Sequence, residues 1–461
     1  MEIAAQVLER VRARAGAVEA EVSVGRQEEA LTRFANSFIH QNVADDTTRV
    51  RLRVHADGRT ASASTTVTST DGLGELVERT VAAVRTAPAD PTWPGLTAPA
   101  PLAGAAEADP ATAEASPDER AARVRAFVDA AGLEVAGYCR TSASSVAFAN
   151  SAGQSVSTYT TEASMDGIAR ASGADGVARA ASARLADIDG AALGARAGAK
   201  ARAATGAVEL PPGRYEVVLE PNAVSDLLNN FAIHGFNGKS FAERRSFAEL
   251  GAGQFDPQVT LVDDPLAPGR PGTSFDAEGT PKQRLALVDG GVTRSVTHDR
   301  RTAALVGGEA ASTGHAIPGP MARFGAIALN IELVAGPSET GDDPAGSGAG
   351  AHVDPAAASL LAGVERGLLV TDFWYTRVLD PKTLVITGLT RNGVWLIEDG
   401  KVTAPVQNFR FTQSYPQALG PGQVQRIGGV AALLPGGLGI AARSAPAVHL
   451  TSWNFTGGAS G

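Results

Sequence analysis

Apolar and polar positions change their spacing along the chain, and these changes predict the order of its elements. Residues 3–15 carry apolar side chains at helical spacing, whereas the next segments alternate apolar with polar positions. Asp57-Gly58 lies between two alternating runs, 47–55 and 59–68, which predicts a hairpin. The chain is therefore predicted to begin with a helix that leads into a meander of strands.

Helical spacing returns three times in the first half of the chain. The predicted helices are 73–85, 117–131 and 190–204. Ser116 is a suitable N-cap for the second of them, because Pro117 follows at the first helical position and Glu119 stands at the third. Residues 86–117 are rich in alanine and proline, and the prolines exclude a long helix or a central strand. We predict a loop over this segment.

The pattern changes again near residue 206, after which the apolar runs are longer. The predicted strands of this half include 215–219, 284–288, 326–334 and 383–390. A glycine-, serine- and aspartate-rich run from Pro337 to His352 is predicted to be a surface loop. The sequence therefore predicts an α+β protein, with an N-terminal helix-and-antiparallel-sheet domain over residues 1–205 and a strand-rich C-terminal domain over residues 206–461.

Composition and charge restrict the location of the protein and its partners. Hydrophobic residues make up 44% of the chain and charged residues 19%, which excludes disorder throughout. The net charge of −9 disfavours direct binding to nucleic acid, because phosphates would be repelled. The first residues lack the apolar core of a signal peptide, and the most apolar late stretch, 427–442, is broken by glycine and proline. Cys139 is the single cysteine, so we expect no disulfide and a cytoplasmic protein.

Four stretches along most of the chain resemble a single family. They are 31–43 (LTRFANSFIHQNV), 215–241, 275–316 and 370–414. The third stretch contains FDAEGTP and STGHA, which are similar to that family's FD-x-EG-x-P and STG-[NH]-A phrases. The ordered set resembles the TldD/TldE (PmbA) metalloprotease family, also called peptidase U62 or modulator of DNA gyrase.

The resemblance implies a metal-site motif on the helix after the first C-terminal strand. Catalytic members read LL-H-E-x-x-x-H-G there, with two histidine ligands, a glutamate base and a later cysteine ligand. Here the frame reads LLNNFAIHG, with Asn229 at the first histidine position, Asn230 at the glutamate position and only His234 retained. An amide is a poor zinc ligand and cannot serve as a base at neutral pH. We therefore expect no catalytic residue, no metal ligand and no cofactor in this chain, with zinc held by a catalytic partner.

Other polar residues receive ordinary structural interpretations. We interpret His234 as a hydrogen-bonded residue or a favourable charge at a helix end. Asp263, Asp264, Asp276 and Glu278 resemble a paired-carboxylate site, but the prolines and glycines around them favour a turn-rich loop with solvated carboxylates. Arg300, with the arginine that follows it, is interpreted as a solvated or ion-paired surface residue.

The resemblance implies a non-catalytic subunit of a TldD/TldE-type heteromeric metalloprotease that acts on unfolded or small peptides. Such a subunit supplies part of the chamber and of the substrate groove. The expected partners are a TldD-type catalytic subunit and an unfolded or short peptide, with no direct nucleic acid and no membrane. Two alternatives stay open: an autonomous hydrolase with relocated catalytic groups, and a non-proteolytic regulatory binding module linked to DNA gyrase.

Overall fold

The computed structural model describes residues 1–337, 350–436 and 442–458. Within these residues, the N-terminal half combines long antiparallel strands with five helices. The helices are α1 (Glu2–Ala15), α2 (Thr70–Thr86), α3 (Pro110–Ala113), α4 (Pro117–Ala131) and α5 (Gly190–Ala203), with a 3-10 turn at Leu185–Asp187. The strands are β1 (Glu19–Ala35), β2 (Phe38–Ala56), β3 (Arg59–Thr65), β4 (Glu134–Asn150), β5 (Ser155–Ala171) and β6 (Ala174–Ser182).

The local signals in this half are confirmed. Ser116 caps α4: its hydroxyl accepts from the Glu119 N–H at 3.2 Å, and the Glu119 carboxylate accepts from the Ser116 N–H at 2.7 Å. The predicted hairpin joins β2 to β3 through Asp57, which has a positive φ. The segment 86–117 contains only the short helix α3 and is otherwise irregular, as its prolines require.

The first sheet has the strand order β3-β2-β1-β4-β5-β6, and every neighbouring pair is antiparallel. Successive side chains of a strand point to opposite faces. On β2, Val50, Leu52 and Val54 are buried in the core that α1 and α2 cover. The odd-numbered residues of the same strand, Arg51 and Arg53 among them, therefore point to the other face, toward the C-terminal half.

The C-terminal half is rich in strands and contains short helices. Its strands are β7 (Gly213–Leu219), β8 (Leu261–Asp263), β9 (Leu285–Asp289), β10 (Val292–Thr293), β11 (Ile331–Leu333), β12 (Arg366–Asp380), β13 (Val385–Glu398), β14 (Lys401–Pro405), β15 (Phe409–Ser414), β16 (Val424–Pro435) and β17 (Ala442–Gly458). Its helices are α6 (Pro221–Asn230), α7 (Gly238–Ala242), α8 (Arg300–Val306), α9 (Pro355–Ala358) and α10 (Tyr415–Ala418), with a π turn at Phe231–Gly235 and 3-10 turns at Gly319–Phe324 and Leu361–Gly363.

A second sheet of described strands organises this half. Its order is β10-β9-β8-β11-β17-β15-β13-β12-β7, and β17 also pairs with β7, so the last five strands form a closed cycle of pairings. The strand β14 adds to β13, and β16 adds to β17. Leu227 and Leu228 of α6, with Phe231 directly after it, are buried in the large core against this sheet. The α+β fold class predicted from the sequence is confirmed.

Some predicted elements differ from the structure or fall outside its described part. The strand predicted over 326–334 is limited to β11, because the backbone before it bonds to loops instead: Ala326 accepts from the Thr297 hydroxyl at 2.9 Å, and Ile327 donates to His315 at 3.3 Å. Most of the predicted surface loop 337–352 lies outside the described residues, as do residues 437–441 of the apolar stretch. The division at residue 206 stays a prediction.

Ionic contacts connect the two sheets. Arg179 of β6 donates to Asp372 of β12 at 2.8 Å, and buried Lys200 of α5 pairs with buried Glu220, which precedes α6. Both pairs hold charged groups away from water at the junction. Loss of one partner would leave the other charge buried and unpaired, which is costly. Among the helices that the structure describes, none is long and apolar enough to cross a membrane.

Candidate functional site

The helix that carries the family motif position ends in a widened turn. Pro221 begins α6, and after Asn230 the backbone continues as a π turn in which the Phe236 N–H donates to the Phe231 carbonyl at 2.7 Å. Residues five apart on an α-helix lie about 140° apart around the axis. A π turn, whose hydrogen bonds join such residues, reduces that angle. The backbone therefore turns His234 back toward the face of Asn229.

An arginine contacts the first motif position. The side-chain oxygen of Asn229 accepts from Nη1 of Arg443, on β17, at 3.0 Å. The same guanidinium donates from Nε to the Ser225 hydroxyl at 2.9 Å and from Nη2 to the Pro435 carbonyl at 3.2 Å. Burial lowers the pKa of Arg443, while the nearby Asp226 carboxylate opposes that change. The surface beside Asn229 thus carries a fixed cation with three neutral acceptors.

The second motif position points back into its own helix. The amide nitrogen of buried Asn230 donates to the Asp226 carbonyl at 3.0 Å and to the Asp226 carboxylate at 3.2 Å. That carboxylate also accepts from the Tyr415 hydroxyl at 2.7 Å and from the Thr376 hydroxyl at 2.8 Å. Burial raises the pKa of Asp226 to about 6, against the opposing effect of these hydroxyl donors. The carboxylate nearest the motif is therefore held by three side-chain donors.

His234 differs from its sequence interpretation. Its ring is half-buried and makes no hydrogen bond to any other residue that the structure describes. Burial, together with the neighbouring Arg245 charge, lowers its pKa, so the neutral imidazole is favoured at neutral pH. Among the described residues His234 has no hydrogen-bond partner, and its neutral form gives no favourable helix-end charge. The sequence could not show this, because Arg245 reaches His234 only through the fold.

No other described residues form an evident metal site. Within residues 1–337, 350–436 and 442–458, no group of three or more His, Cys, Asp or Glu side chains is arranged to hold an ion. Cys139 is buried in the first sheet, where burial raises the pKa of its thiol to about 11. The ring of buried His315 forms a hydrogen bond with the Asp263 carboxylate at 3.0 Å.

Three of the four acidic residues predicted to be solvated are buried, so that prediction is wrong for them, and Asp264 is half-buried. Asp263, Asp276 and Glu278 are each less than a tenth exposed. Asp276 accepts three backbone N–H bonds, from Ala316 at 2.9 Å and from residues 278 and 280. Asp276 and Glu278 lie in a turn-rich loop, as expected, but the first sheet covers that loop, and Asp263 is the last residue of β8. Loop composition predicts local conformation and carries no signal of a distant covering sheet.

Glu278 forms an ionic cluster at this junction. It accepts from Arg300 Nε at 3.1 Å and from Arg53 Nη2 at 3.2 Å, and both arginines also pair with Glu21 of β1. The Trp93 ring lies 5.4 Å from one guanidinium carbon and 5.5 Å from the other. Arg300 is therefore ion-paired, as one part of its sequence interpretation held, but it is buried and joins the two halves.

Comparison with known proteins agrees with the fold and with the family resemblance. A model of the PmbA/TldA metallopeptidase C-terminal domain matches residues 212–457, and a model of the first domain of the same proteins matches residues 20–84. A protein named metalloprotease from Methanothermobacter thermautotrophicus is 32% identical over 117 residues, which is 25% of this chain and 26% of that relative. The match thus spans about a quarter of the relative's length.

Two solved structures share the fold over nearly the whole chain. TldE from Thermococcus kodakarensis has a TM-score of 0.83 at 18% identity, covering 98% of this chain and 99% of that one. A protein from Thermotoga maritima, named as a candidate modulator of a DNA gyrase, has a TM-score of 0.82 at 18% identity, covering 98% and 100%. These likenesses concern the fold alone, whereas the family models cover more than half of the sequence. The chain belongs to the PmbA/TldD family of metallopeptidases.

Proposed function

We propose that this chain is the non-catalytic subunit of a TldD/TldE-type heteromeric metalloprotease that acts on unfolded or small peptides. The observation that carries the proposal is the bond from Arg443 to Asn229 at 3.0 Å. A guanidinium fixed at the first ligand position opposes a metal cation there by charge repulsion. The proposal assigns zinc and the chemical step to a catalytic partner with an intact motif.

The donors around the motif do not fit catalytic zinc. Such sites use three ligands from histidine, carboxylate or thiolate and keep one position for water. Asn229 offers a neutral amide oxygen that already binds Arg443, and the sequence has no cysteine after Cys139. His234 is the one family ligand that remains. These residues support a subunit whose metal function has been lost.

The position of the general base is also changed. Asn230 has no proton-accepting group at neutral pH, and its amide is committed to Asp226. Subunit specialisation accounts for both changes at once, because a chain that only shapes the chamber needs neither ligand nor base. The π turn at Phe231–Gly235 is a feature often found at functional sites, which supports an origin in a metal-binding helix.

Asp226 is the specific observation that favours the second candidate, an autonomous hydrolase with relocated groups. Its pKa of about 6 would suit a general base. However, its carboxylate accepts bonds from Tyr415, Thr376 and Asn230, which reduces its capacity to activate a water. We therefore rank this function second. The third candidate, a regulatory module linked to DNA gyrase, is favoured by the names of two similar structures, from Thermotoga maritima and Bacteroides thetaiotaomicron, and by no contact described above.

Co-expression with a family member that retains the His-Glu-x-x-x-His motif tests the proposal. We expect cleavage of an unstructured peptide by the pair, inhibition by a chelator, and no cleavage by this chain alone. The matched control pairs the same chain with a partner whose motif glutamate is replaced by glutamine, which should abolish turnover. Chelator-insensitive cleavage by this chain alone, lost on Asp226→Asn, would instead establish the second candidate.

A further inference from the structure

A cleft of about 500 Å³ lies between the first sheet and the loops of the C-terminal half. Its volume is in the range of small-molecule and peptide-end sites. One wall is polar and consists of the exposed face of β1, β2, β4 and β5. The opposite wall is largely apolar, with side chains Phe275, Ile317, Met321, Ile327 and Leu329. The cleft is separate from the motif residues Asn229 and Asn230, which do not line it.

The polar wall carries two arginines without a partner. Arg49 and Arg51 alternate on one face of β2, and neither makes a hydrogen bond or ion pair with another residue that the structure describes. Arg53, two positions farther along the same face, pairs with both Glu21 and Glu278. Arg53, which lies outside the cleft, is therefore neutralised by two glutamates. Arg49 and Arg51, which line the cleft, have no such counter-charge among the described residues.

The remaining charges of the cleft do not supply that counter-charge. Four Arg or Lys residues and two Asp residues line it, in a chain whose net charge is −9. Asp276 is directed to backbone N–H groups, including that of Ala316 at 2.9 Å, and Asp45 accepts from the Thr47 hydroxyl at 2.8 Å. Burial and the like charge of Arg49 both lower the pKa of Arg51, which is the effect of a cation without a neighbouring anion.

The Arg51 guanidinium faces the opposite wall of the cleft. A Cβ atom placed on Gly319 would lie 3.6 Å from its Nη2 atom. Gly319 begins the 3-10 turn that also contributes Met321 to the apolar wall. A ligand in the cleft would therefore meet charged donors on one side and apolar side chains on the other.

We propose that this cleft binds the C-terminal carboxylate of a short peptide, with Arg49 and Arg51 on the carboxylate and the last, apolar side chain against the Phe275 wall. Arginine suits this role because its planar fork matches a carboxylate with two parallel hydrogen bonds. The assignment rests on the proposed function and adds to it the end of the peptide that this subunit holds.

Fluorescence anisotropy of the full chain tests the site directly. The probe is an unstructured octapeptide that ends in phenylalanine, labelled at its N-terminus, with either a free carboxylate or an amide at the C-terminus. We expect the amide to bind about tenfold more weakly or worse, because it loses a charge-assisted pair. Higher salt should weaken the free acid far more than the amide.

Variants connect the effect to the two arginines. Arg49→Gln and Arg51→Gln should each weaken binding of the free acid about tenfold and leave the amide unchanged. Arg85→Gln on α2 is the matched control, because Arg85 is exposed and has no partner among the described residues but lies away from the cleft. Arg49 is exposed as well, so its replacement should leave the melting temperature unchanged. Arg51→Lys keeps the charge, and its affinity for the free acid should lie between those of the parent chain and Arg51→Gln.

The outcomes separate this site from the proposed function. Equal binding of acid and amide, or full affinity in both glutamine variants, would overturn the carboxylate site. Inorganic phosphate that competes at the peptide's own concentration would also overturn it, because the site would then be a general anion site. Cleavage by the co-expressed pair tests the subunit role without reference to the cleft, so either proposal can fail while the other stands.

Discussion

Arg300 and Arg443 show two ways in which this chain holds a cation away from bulk water. Arg300 lies between the carboxylates of Glu21 and Glu278, at 2.7 Å and 3.1 Å. Arg443 bonds to neutral oxygens of Asn229, Ser225 and Pro435, and the nearby Asp226 carboxylate accepts from other donors.

The two arginines differ in the groups that depend on them. A buried cation between two anions satisfies its neighbours and makes each of them depend on it. A cation that contacts only neutral groups has no such dependents. It lies where the family resemblance expects a metal ligand, so its presence affects what else can bind there. We therefore expect Arg300 to matter for stability and Arg443 to matter for metal exclusion.

Removal of Arg300 should have the largest effect. Arg300→Ala leaves Glu21 and Glu278 with Arg53 as their shared arginine, and we expect the free energy of unfolding to fall by about 3–5 kcal/mol. Urea denaturation of the full chain measures the change. Arg294→Ala is the control, because Arg294 is 51% exposed and lies 3.8 Å from Asp289, so its loss should cost less than about 0.5 kcal/mol. Similar losses in the two variants would refute the structural role of the cluster.

Zinc binding by restored motifs provides the second comparison. Asn229→His with Asn230→Glu returns two imidazoles and a base but leaves the third ligand absent. We expect weak zinc binding and no robust peptidase activity. Adding Arg443→Ser removes the cation and should tighten zinc binding about tenfold, or about 1.4 kcal/mol.

Zinc titration of the double and triple variants measures this difference, and a chelator control accompanies the peptidase assay. Arg85→Ser in the double variant is the matched control, since it removes a distant arginine. Equal affinities in the double and triple variants would show that Arg443 does not exclude the metal. Robust, chelator-sensitive turnover by the double variant would contradict the non-catalytic assignment.

Asp226 provides the third test, through the pH dependence of stability. Its pKa is raised from 3.8 to about 6, so the folded state keeps this proton to a higher pH than the unfolded state does. The contribution of the group to stability is therefore lost as the pH rises through this interval. Relative to the parent chain, Asp226→Asn should become more stable by about 2–3 kcal/mol between about pH 4 and about pH 7.

The difference between two urea series, recorded across that pH range, isolates this residue. Other carboxylates with raised pKa, Glu162 and Asp276, are common to both proteins and cancel in the difference. The altered Tyr415 bond adds a constant offset to the difference and leaves its dependence on pH unchanged. A difference that is flat with pH would show that Asp226 is ionised normally.

Local patterns predicted local structure well. The cap at Ser116, the turn at Asp57 and the motif helix before His234 each depend on a few neighbouring residues, and all three are present. Residues far apart in sequence were beyond the reach of such patterns. Arg443 meets Asn229 across 214 positions, and Arg300 meets Glu21 across 279.

The same limit explains the error over the acidic loop. Prolines and glycines near Asp276 correctly predict turns, but burial depends on the N-terminal sheet that packs over them. The motif changes could be identified from the resemblance alone, since Asn229 and Asn230 differ from histidine and glutamate and the sequence has no cysteine after Cys139. The group that fills the space beside Asn229 could be identified only from the fold.

His234 should have the smallest effect, although it is the one motif residue that the chain retains. Its half-buried ring makes no hydrogen bond to any described residue, and burial with the nearby Arg245 charge keeps it neutral. Replacement by alanine therefore removes some packing and no charge. We expect His234→Ala to change the free energy of unfolding by less than about 0.5 kcal/mol. Peptide cleavage by the co-expressed pair should be unchanged, and so should the zinc content of this chain, measured by elemental analysis.

The variant Asn237→Ala calibrates the stability measurement, because buried Asn237 donates to two carbonyls, at 3.1 Å and 2.8 Å, and its loss should be clearly destabilising. One zinc per parent chain that disappears in His234→Ala would show that the retained histidine still binds metal, and the subunit would then have to be regarded as a metalloprotein in its own right.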